Sequence, residues 1–331
     1  MKILQITPER ISINTHAPYD CRMDYQGSCI FHGLRSLFGE DVVDFPKLEH
    51  MYKGYEHSSK LWGKGFTLSQ TLDDIPVDRE DIVNKIANDY FQLILLTSHN
   101  LCDHYPNIFY SYLERIRELN PNVKIAVING KDRPEVYDLA WKYTPYNFQR
   151  EILDNQDERL IPIGFSIPKE KIVSETPSKS RYVASILPSK HDGPNRRTHI
   201  YNNEGDYYQD YRDSWFAIDC IKGGTTSMRN VEILAQGCLP IFTDLENVPS
   251  KCLSFMPKYT MRQIKKMKFI NLPKSIFNVD EIPSDWNYIL EDSFDKDLCI
   301  NLINSLLGYT KQLLTTEFSA KYILEKCNCA K

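Results

Sequence analysis

Arg229 and Glu232 stand three residues apart, directly behind the run Gly223-Gly224-Thr225-Thr226-Ser227. The two glycines let the backbone turn sharply, and Thr225, Thr226 or Ser227 can cap a helix that follows. A cation in the first helical turn meets the positive end of the macrodipole, at a cost of roughly a few tenths of a kcal/mol. No Glu or Gln occupies the position a capping box requires. A bound phosphate resolves both oddities, because backbone N–H groups near Thr226 and Ser227 would share one anion with Arg229. The alternative is a surface Arg229–Glu232 pair at i, i+3, worth about 0.3 kcal/mol. The helix by itself does not choose between them.

The elements that must hold these residues are legible on either side. Val231, Leu234, Ala235 and Cys238 form an apolar stripe at helical spacing, and Arg229, Glu232 and Gln236 form a polar one. Gly237 stops the helix, Leu239–Phe242 resumes as a strand, and Trp215–Cys220 reads as the strand before the turn. Upstream, apolar runs at Ile3–Ile6, Val42-Val43, Leu93–Leu96, Val123–Ile128, Asn147–Ile152 and Ile161–Phe165 alternate with helical patterns. The helical patterns lie at Cys29–Phe38, Ile82–Asn88, Phe109–Ile116 and Val136–Trp141. Residues 47 to 81 carry Tyr, Gly, His and Lys without periodicity and read as an irregular excursion. This alternation predicts an α/β fold with parallel sheets. The Pro/Ser-rich, charged stretch 168–180 reads as a linker, dividing the chain into residues 1–167 and 181–331. A second series follows it, with a strand at Tyr182–Leu187, a helix around Tyr207–Tyr211, and C-terminal helices through Leu302–Leu307 and residues 313 to 326.

With 331 residues and 42% hydrophobic content, the chain can bury a large core in two domains. A net charge of −4 and a pI near 6.1 do not favour a nucleic-acid partner. No segment approaches 18 consecutive apolar residues, so no transmembrane helix is expected. MKILQITPER lacks the regions of a signal peptide. Nine cysteines without CxxC pairs suggest buried thiols in a reducing, cytoplasmic setting and no zinc site. The basic run Arg262–Lys268 reads as a solvated helix face.

Three motif tests fail. MKILQITPERIS contains no G-x-G-x-x-G after the first strand, GGTTSMRN lacks the G-K-[ST] ending of a phosphate-binding loop, and G-x-S-x-G is absent. What remains is the segment S-W-F-A-I-D-C…G-G-T-T-S-M-R-N-V-E-I-L-A-Q-G-C-L-P-I-F. It resembles the donor-site segment of GT-B glycosyltransferases, above all the exostosin-like group and the group 1-like donor domains. Ser227, Arg229, Glu232, Gly237, Cys238 and Pro240 carry the resemblance over roughly 30 residues. It implies two Rossmann-like domains facing across a cleft, and metal-independent sugar transfer from a nucleotide-diphosphate sugar to a hydroxyl acceptor.

In that resemblance the diphosphate sits at the N–H groups near Thr226 and Ser227 with Arg229. Arg196, Arg197 and Lys190, in the loop after the second domain's first strand, are further donor-site candidates, with His191 beside them. Glu232 matches the acidic residue that binds ribose or sugar hydroxyls. The resemblance implies no cofactor beyond the nucleotide-sugar substrate and no metal. Little room lies between Arg197 and Tyr211 for the usual helices, so the second domain looks trimmed. No base-stacking aromatic stands at a diagnostic position after Thr243.

An inverting transfer needs a general base for the acceptor hydroxyl. Asp132 in NGKDR, Asp24 and His16 are the candidates, with His99 behind them. Against each stands a structural role: a turn-former for Asp132, a helix cap for Asp24, a loop side chain for either histidine. Lys131 and Arg133 could bind an anion or be solvated. Alternatives to the main reading are a transferase acting on nucleic-acid bases and a non-catalytic nucleotide- or sugar-binding module. Arg229→Ala and Glu232→Ala are each expected to impair donor binding while leaving folding intact.

Overall fold

Apolar runs buried on both faces explain most of the strands. The structure, a computed structural model, describes residues 1–7, 23–98, 106–187, 200–272 and 287–329. Its first sheet contains β1 (Ile3–Ile6), β2 (Val42–Phe45), β3 (Leu93–Ser98), β4 (Lys124–Asn129), β5 (Tyr146–Gln149) and β6 (Ile161–Pro162). All pair in parallel, in the order β2-β1-β3-β4-β5-β6. Successive side chains point to opposite faces. Ile3, Leu93, Leu95, Ala126 and Ile128 therefore enter one apolar cluster, while Leu4, Ile6, Ile94, Leu96, Ile125 and Val127 enter another. Helix α1 (Tyr25–Phe38) packs on the first face, and α2 (Ile82–Ala87) and α3 (Pro106–Leu119) lie on the second.

The second sheet has three parallel strands in the order β7 (Arg181–Val183), β8 (Ser214–Asp219) and β9 (Leu239–Phe242). Helix α4 (Glu204–Arg212) precedes β8, and α5 (Met228–Ala235) joins β8 to β9. Helices α6 (Lys258–Lys265), α7 (Lys296–Leu313) and α8 (Thr316–Lys326) complete the chain. The protein is a Rossmann-like α/β fold built on these two parallel sheets. In the first sheet the strand order reverses between β1 and β3, the kind of switch point at which such sheets leave a crevice for ligands.

Several expected boundaries move for local reasons. The strand expected at Tyr182–Leu187 ends at Val183, because the N–H groups of Ser185 and Ile186 donate to the buried Asp210 carboxylate at 2.9 and 3.1 Å. The run Asn147–Ile152 ends as a strand at Gln149, which leaves Arg150 and Glu151 at the carboxyl end of the sheet. Ile161–Phe165 pairs only over Ile161–Pro162. Val136–Trp141 forms a short 3-10 turn, Asp138–Lys142, and α1 starts four residues earlier than expected, at Tyr25.

Residues 168–180 are pinned rather than free. Val173 N–H donates to the Ala235 carbonyl at 3.0 Å, and Lys179 Nζ donates to the carbonyls of Arg212 (2.9 Å) and Gly237 (2.6 Å). Helix α8 returns to the first sheet and packs on α1. A Cβ on Gly33 would lie 1.9 Å from the Thr316 carbonyl oxygen, so this crossing admits only glycine.

Candidate functional site

A cavity of about 560 Å³ opens beyond the carboxyl ends of the strands of both sheets. Gln26 at the start of α1, Gly130 and Asp132 after β4, Arg150 after β5 and Phe165 after β6 form one side. Lys222 to Gly224 and Thr226 to Arg229, with Glu232, form the other. Trp62 to Lys64 and Phe66, from the excursion after β2, line it as well, with Tyr201.

The glycine turn is organised by a residue that sequence reasoning missed. Glu151 accepts hydrogen bonds from the N–H groups of Thr225 (3.1 Å) and Thr226 (3.0 Å) and from the Thr225 hydroxyl. The N–H of Ser227 donates to Asn230 Oδ1 at 2.7 Å, so Asn230 does what a Glu or Gln would do in a capping box. An internal carboxylate thus already takes the backbone donors expected to meet a phosphate. Thr226 is used throughout: its carbonyl accepts from Arg150 Nη1 at 2.8 Å and its hydroxyl from Leu253 N–H at 3.3 Å. The Ser227 hydroxyl oxygen is buried and faces the Asn230 backbone, the other half of that capping box. Gly223 and Gly224 do not need left-handed backbone; they allow close approach. A Cβ on Gly224 would lie 2.9 Å from Glu151 Oε1 and 3.1 Å from Asp132 Cα.

Arg229 and Glu232 are 8% and 4% exposed, which overturns the reading of a surface pair. Thr67 and Tyr207 each donate a hydroxyl hydrogen bond to one Glu232 oxygen, and Tyr208 donates to Thr67 at 2.7 Å. Burial holds the Glu232 carboxyl above its ordinary value, and these hydrogen bonds with the Arg229 charge oppose the rise. Asp219, buried behind the turn, is shifted upward for the same reason, with Arg229 and Lys222 opposing; Asn230 donates to it at 2.5 Å. Burial works against the Arg229 charge, but the neighbouring Asp219 and Glu232 carboxylates favour it, and the guanidinium stays charged.

Asp132 lies in the cavity wall, half exposed, and forms an ion pair with the buried Arg150. The Arg150 guanidinium stacks 4.5 Å from the centre of the Phe165 ring. Asp24 caps α1, its Oδ1 accepting from Gly27 N–H at 3.0 Å. Lys131 is buried with its ammonium 5.2 Å from the Tyr137 ring centre, and Arg133 is exposed. His16, His99, Lys190, His191, Arg196 and Arg197 lie outside the described residues.

The excursion after β2 is a strap across the cavity. Gly63, Lys64, Gly65 and Thr67 have φ of 60°, 57°, 68° and 76°. Left-handed backbone at Lys64 and Thr67 is costly and persists only where contacts impose it. Here Lys64 Nζ donates to the Tyr201 carbonyl and, at 2.8 Å, to Asn202, and Thr67 N–H donates to Glu204. The strap brings aromatic side chains to the cavity that no motif marked. Trp62, 67% exposed, is the most prominent, and the density of Tyr, Gly and Trp in that aperiodic stretch was the available signal.

Elsewhere the basic run is partly internal. Lys265 Nζ donates to the Thr243 carbonyl and Glu246, both at 2.6 Å. The seven described cysteines are free, and no helix among the described residues is long and apolar enough to cross a membrane. Among the described residues no group of three or more His, Cys, Asp or Glu side chains could hold a metal ion. No protein-family profile, no curated protein and no solved structure matches the chain.

Proposed function

We propose that the chain is a glycosyltransferase of GT-B arrangement that transfers a sugar from a nucleotide-diphosphate sugar to a hydroxyl acceptor. Residues 1–167 would serve as the acceptor side and 181–331 as the donor side. The observation that carries this reading is the charge of the cavity wall. Lys64, Arg150, Lys222 and Arg229 face Asp132 and Glu232, four cations against two carboxylates, an excess of two positive charges. An enclosed excess of positive charge favours an anionic ligand. A pocket of this size between parallel-sheet ends suits a nucleotide.

Arg229 would stabilise the departing diphosphate. Glu232 retains lone pairs beyond the two hydrogen bonds it accepts, so it could also receive a ligand hydroxyl. In the transfer, the acceptor oxygen bonds to the anomeric carbon as the bond from that carbon to the phosphate oxygen breaks. The nucleoside diphosphate leaves with the electron pair, and the acceptor proton passes to Asp132.

One observation favours the second reading, a module that binds donor without turnover: the Asp132 carboxylate is already engaged by Arg150. Thermal-shift measurements with UDP-, GDP-, ADP- and CMP-sugars test binding, and donor hydrolysis with and without acceptors tests turnover. Stabilisation by one donor together with hydrolysis supports the transferase. Stabilisation without turnover selects the module, and no stabilisation by any donor contradicts both.

A further inference from the structure

Two polar atoms on the first sheet's side of the cavity are buried without hydrogen-bond partners. Gln26 is 1% exposed and lines the cavity; its Nε2 donates to the Gly164 carbonyl at 3.1 Å, and its Oε1 has no partner. The Gly164 carbonyl can only accept, so the amide nitrogen must face it and Oε1 is the atom left over. Arg150, also 1% exposed, uses Nη1 on Thr226 and Nη2 on Asp132, while its Nε–H has no partner. The two side chains are neighbours through Gly164 and Phe165: Gln26 holds the carbonyl of the first, and Arg150 lies over the ring of the second.

Their chemistry selects a ligand group. An amide oxygen can only accept, so whatever meets Gln26 must donate, and a carboxylate or phosphate oxygen there would set acceptor against acceptor. Asp132 already balances the Arg150 charge, so Arg150 does not call for a second anion. A hydroxyl both donates and accepts, so hydroxyl groups match the chemistry of either atom. Leaving such buried atoms unsatisfied is costly, which makes the requirement selective.

We propose that Gln26 and Arg150 form a subsite for an uncharged hydroxyl-bearing group, a sugar or polyol, and that it seats the acceptor. Its assignment to the acceptor rests on the transfer reaction proposed above; its preference for a hydroxyl does not.

The test titrates the wild-type protein with neutral methyl glycosides of glucose, mannose and galactose, and with a hexose phosphate and a hexuronate. Binding is followed by calorimetry and by the NMR resonances of the Gln26 side-chain amide. At least one neutral glycoside should bind and move those resonances. Gln26→Leu should weaken that binding roughly tenfold or more, while leaving the thermal shift from nucleotide-sugars unchanged. If Gln26→Leu does not fold, the Gln26 resonances of the wild type still decide the matter. Binding by no neutral glycoside, equal affinity in both proteins, binding of the charged sugars alone, or Gln26 resonances that stay fixed because a buried water holds the site would each overturn the proposal. Glycoside binding that depends on Gln26, in a protein that binds no nucleotide-sugar, supports the subsite and contradicts only the transfer reaction.

Discussion

Arg229 and Glu232 are where sequence and structure diverge most usefully. Their helical spacing was legible, but their burial was not, because Thr67 and Tyr207, which hold Glu232, come from 165 and 25 residues away. That burial corrects one expectation. Removing one partner of a buried charged network costs about 3–5 kcal/mol, so Glu232→Ala should lower the unfolding free energy by that order. Urea titration measures it; a loss within about 0.5 kcal/mol would mean that the network is not formed. The pH dependence follows from the same group. The Glu232 carboxyl is held above its ordinary 4.5, so between the two values the folded state binds a proton that the unfolded state has released. The stability this contributes is complete below the ordinary value and is lost as the pH rises through the raised one. Relative to Glu232→Gln, which does not titrate there, the wild type should lose stability as the pH rises above about 4.5. Asp219 shifts in the same direction but is present in both proteins and drops out of the comparison. Parallel stability curves would contradict the assignment.

The turn before α5 is held by its approach to two other loops. Gly224 faces backbone and a fixed carboxylate, with Asp132 Cα and carbonyl oxygen both 3.1 Å from where a Cβ would lie, while Gly223 meets only side-chain atoms of Asp132, Oδ2 at 3.1 Å being the nearest. Gly224→Ala should therefore cost about 1–3 kcal/mol and Gly223→Ala clearly less. Equal losses in thermal melts would show that the approach is not what the glycines serve. Strands such as Ile3–Ile6 and Leu239–Phe242 were legible to the residue, because runs buried on both faces leave an unbroken apolar signature. The contents of the turn were not. Glu151 lies 74 residues from Thr225, and no local pattern distinguishes an internal carboxylate from a bound phosphate. The arginine after β5 was hidden in the same way, since Asn147–Ile152 read as one strand.

Across the whole molecule, one apolar cluster runs from Ile3 in β1 through Phe216 and Ile241 of the second sheet to Ile323 and Cys327 at the C-terminal end. Helix α8 ties the ends together, with the Ile167 N–H donating to the Leu314 carbonyl at 2.9 Å and the Thr316 N–H donating to the Ile167 carbonyl at 3.0 Å. Thermal unfolding should therefore occur in one cooperative transition. Two separated calorimetric peaks would show that the sheets unfold independently. The cavity lies where the loops of both sheets meet, and its positive excess is the basis for placing a nucleotide diphosphate there. Calorimetric titration of the wild-type protein with UDP, GDP and ADP and with the three parent nucleosides tests this most directly. One nucleotide should bind at least about tenfold more tightly than its nucleoside, a difference of about 1.4 kcal/mol or more carried by the phosphates. Equal affinities within each pair, or no binding by any nucleotide, would contradict the account.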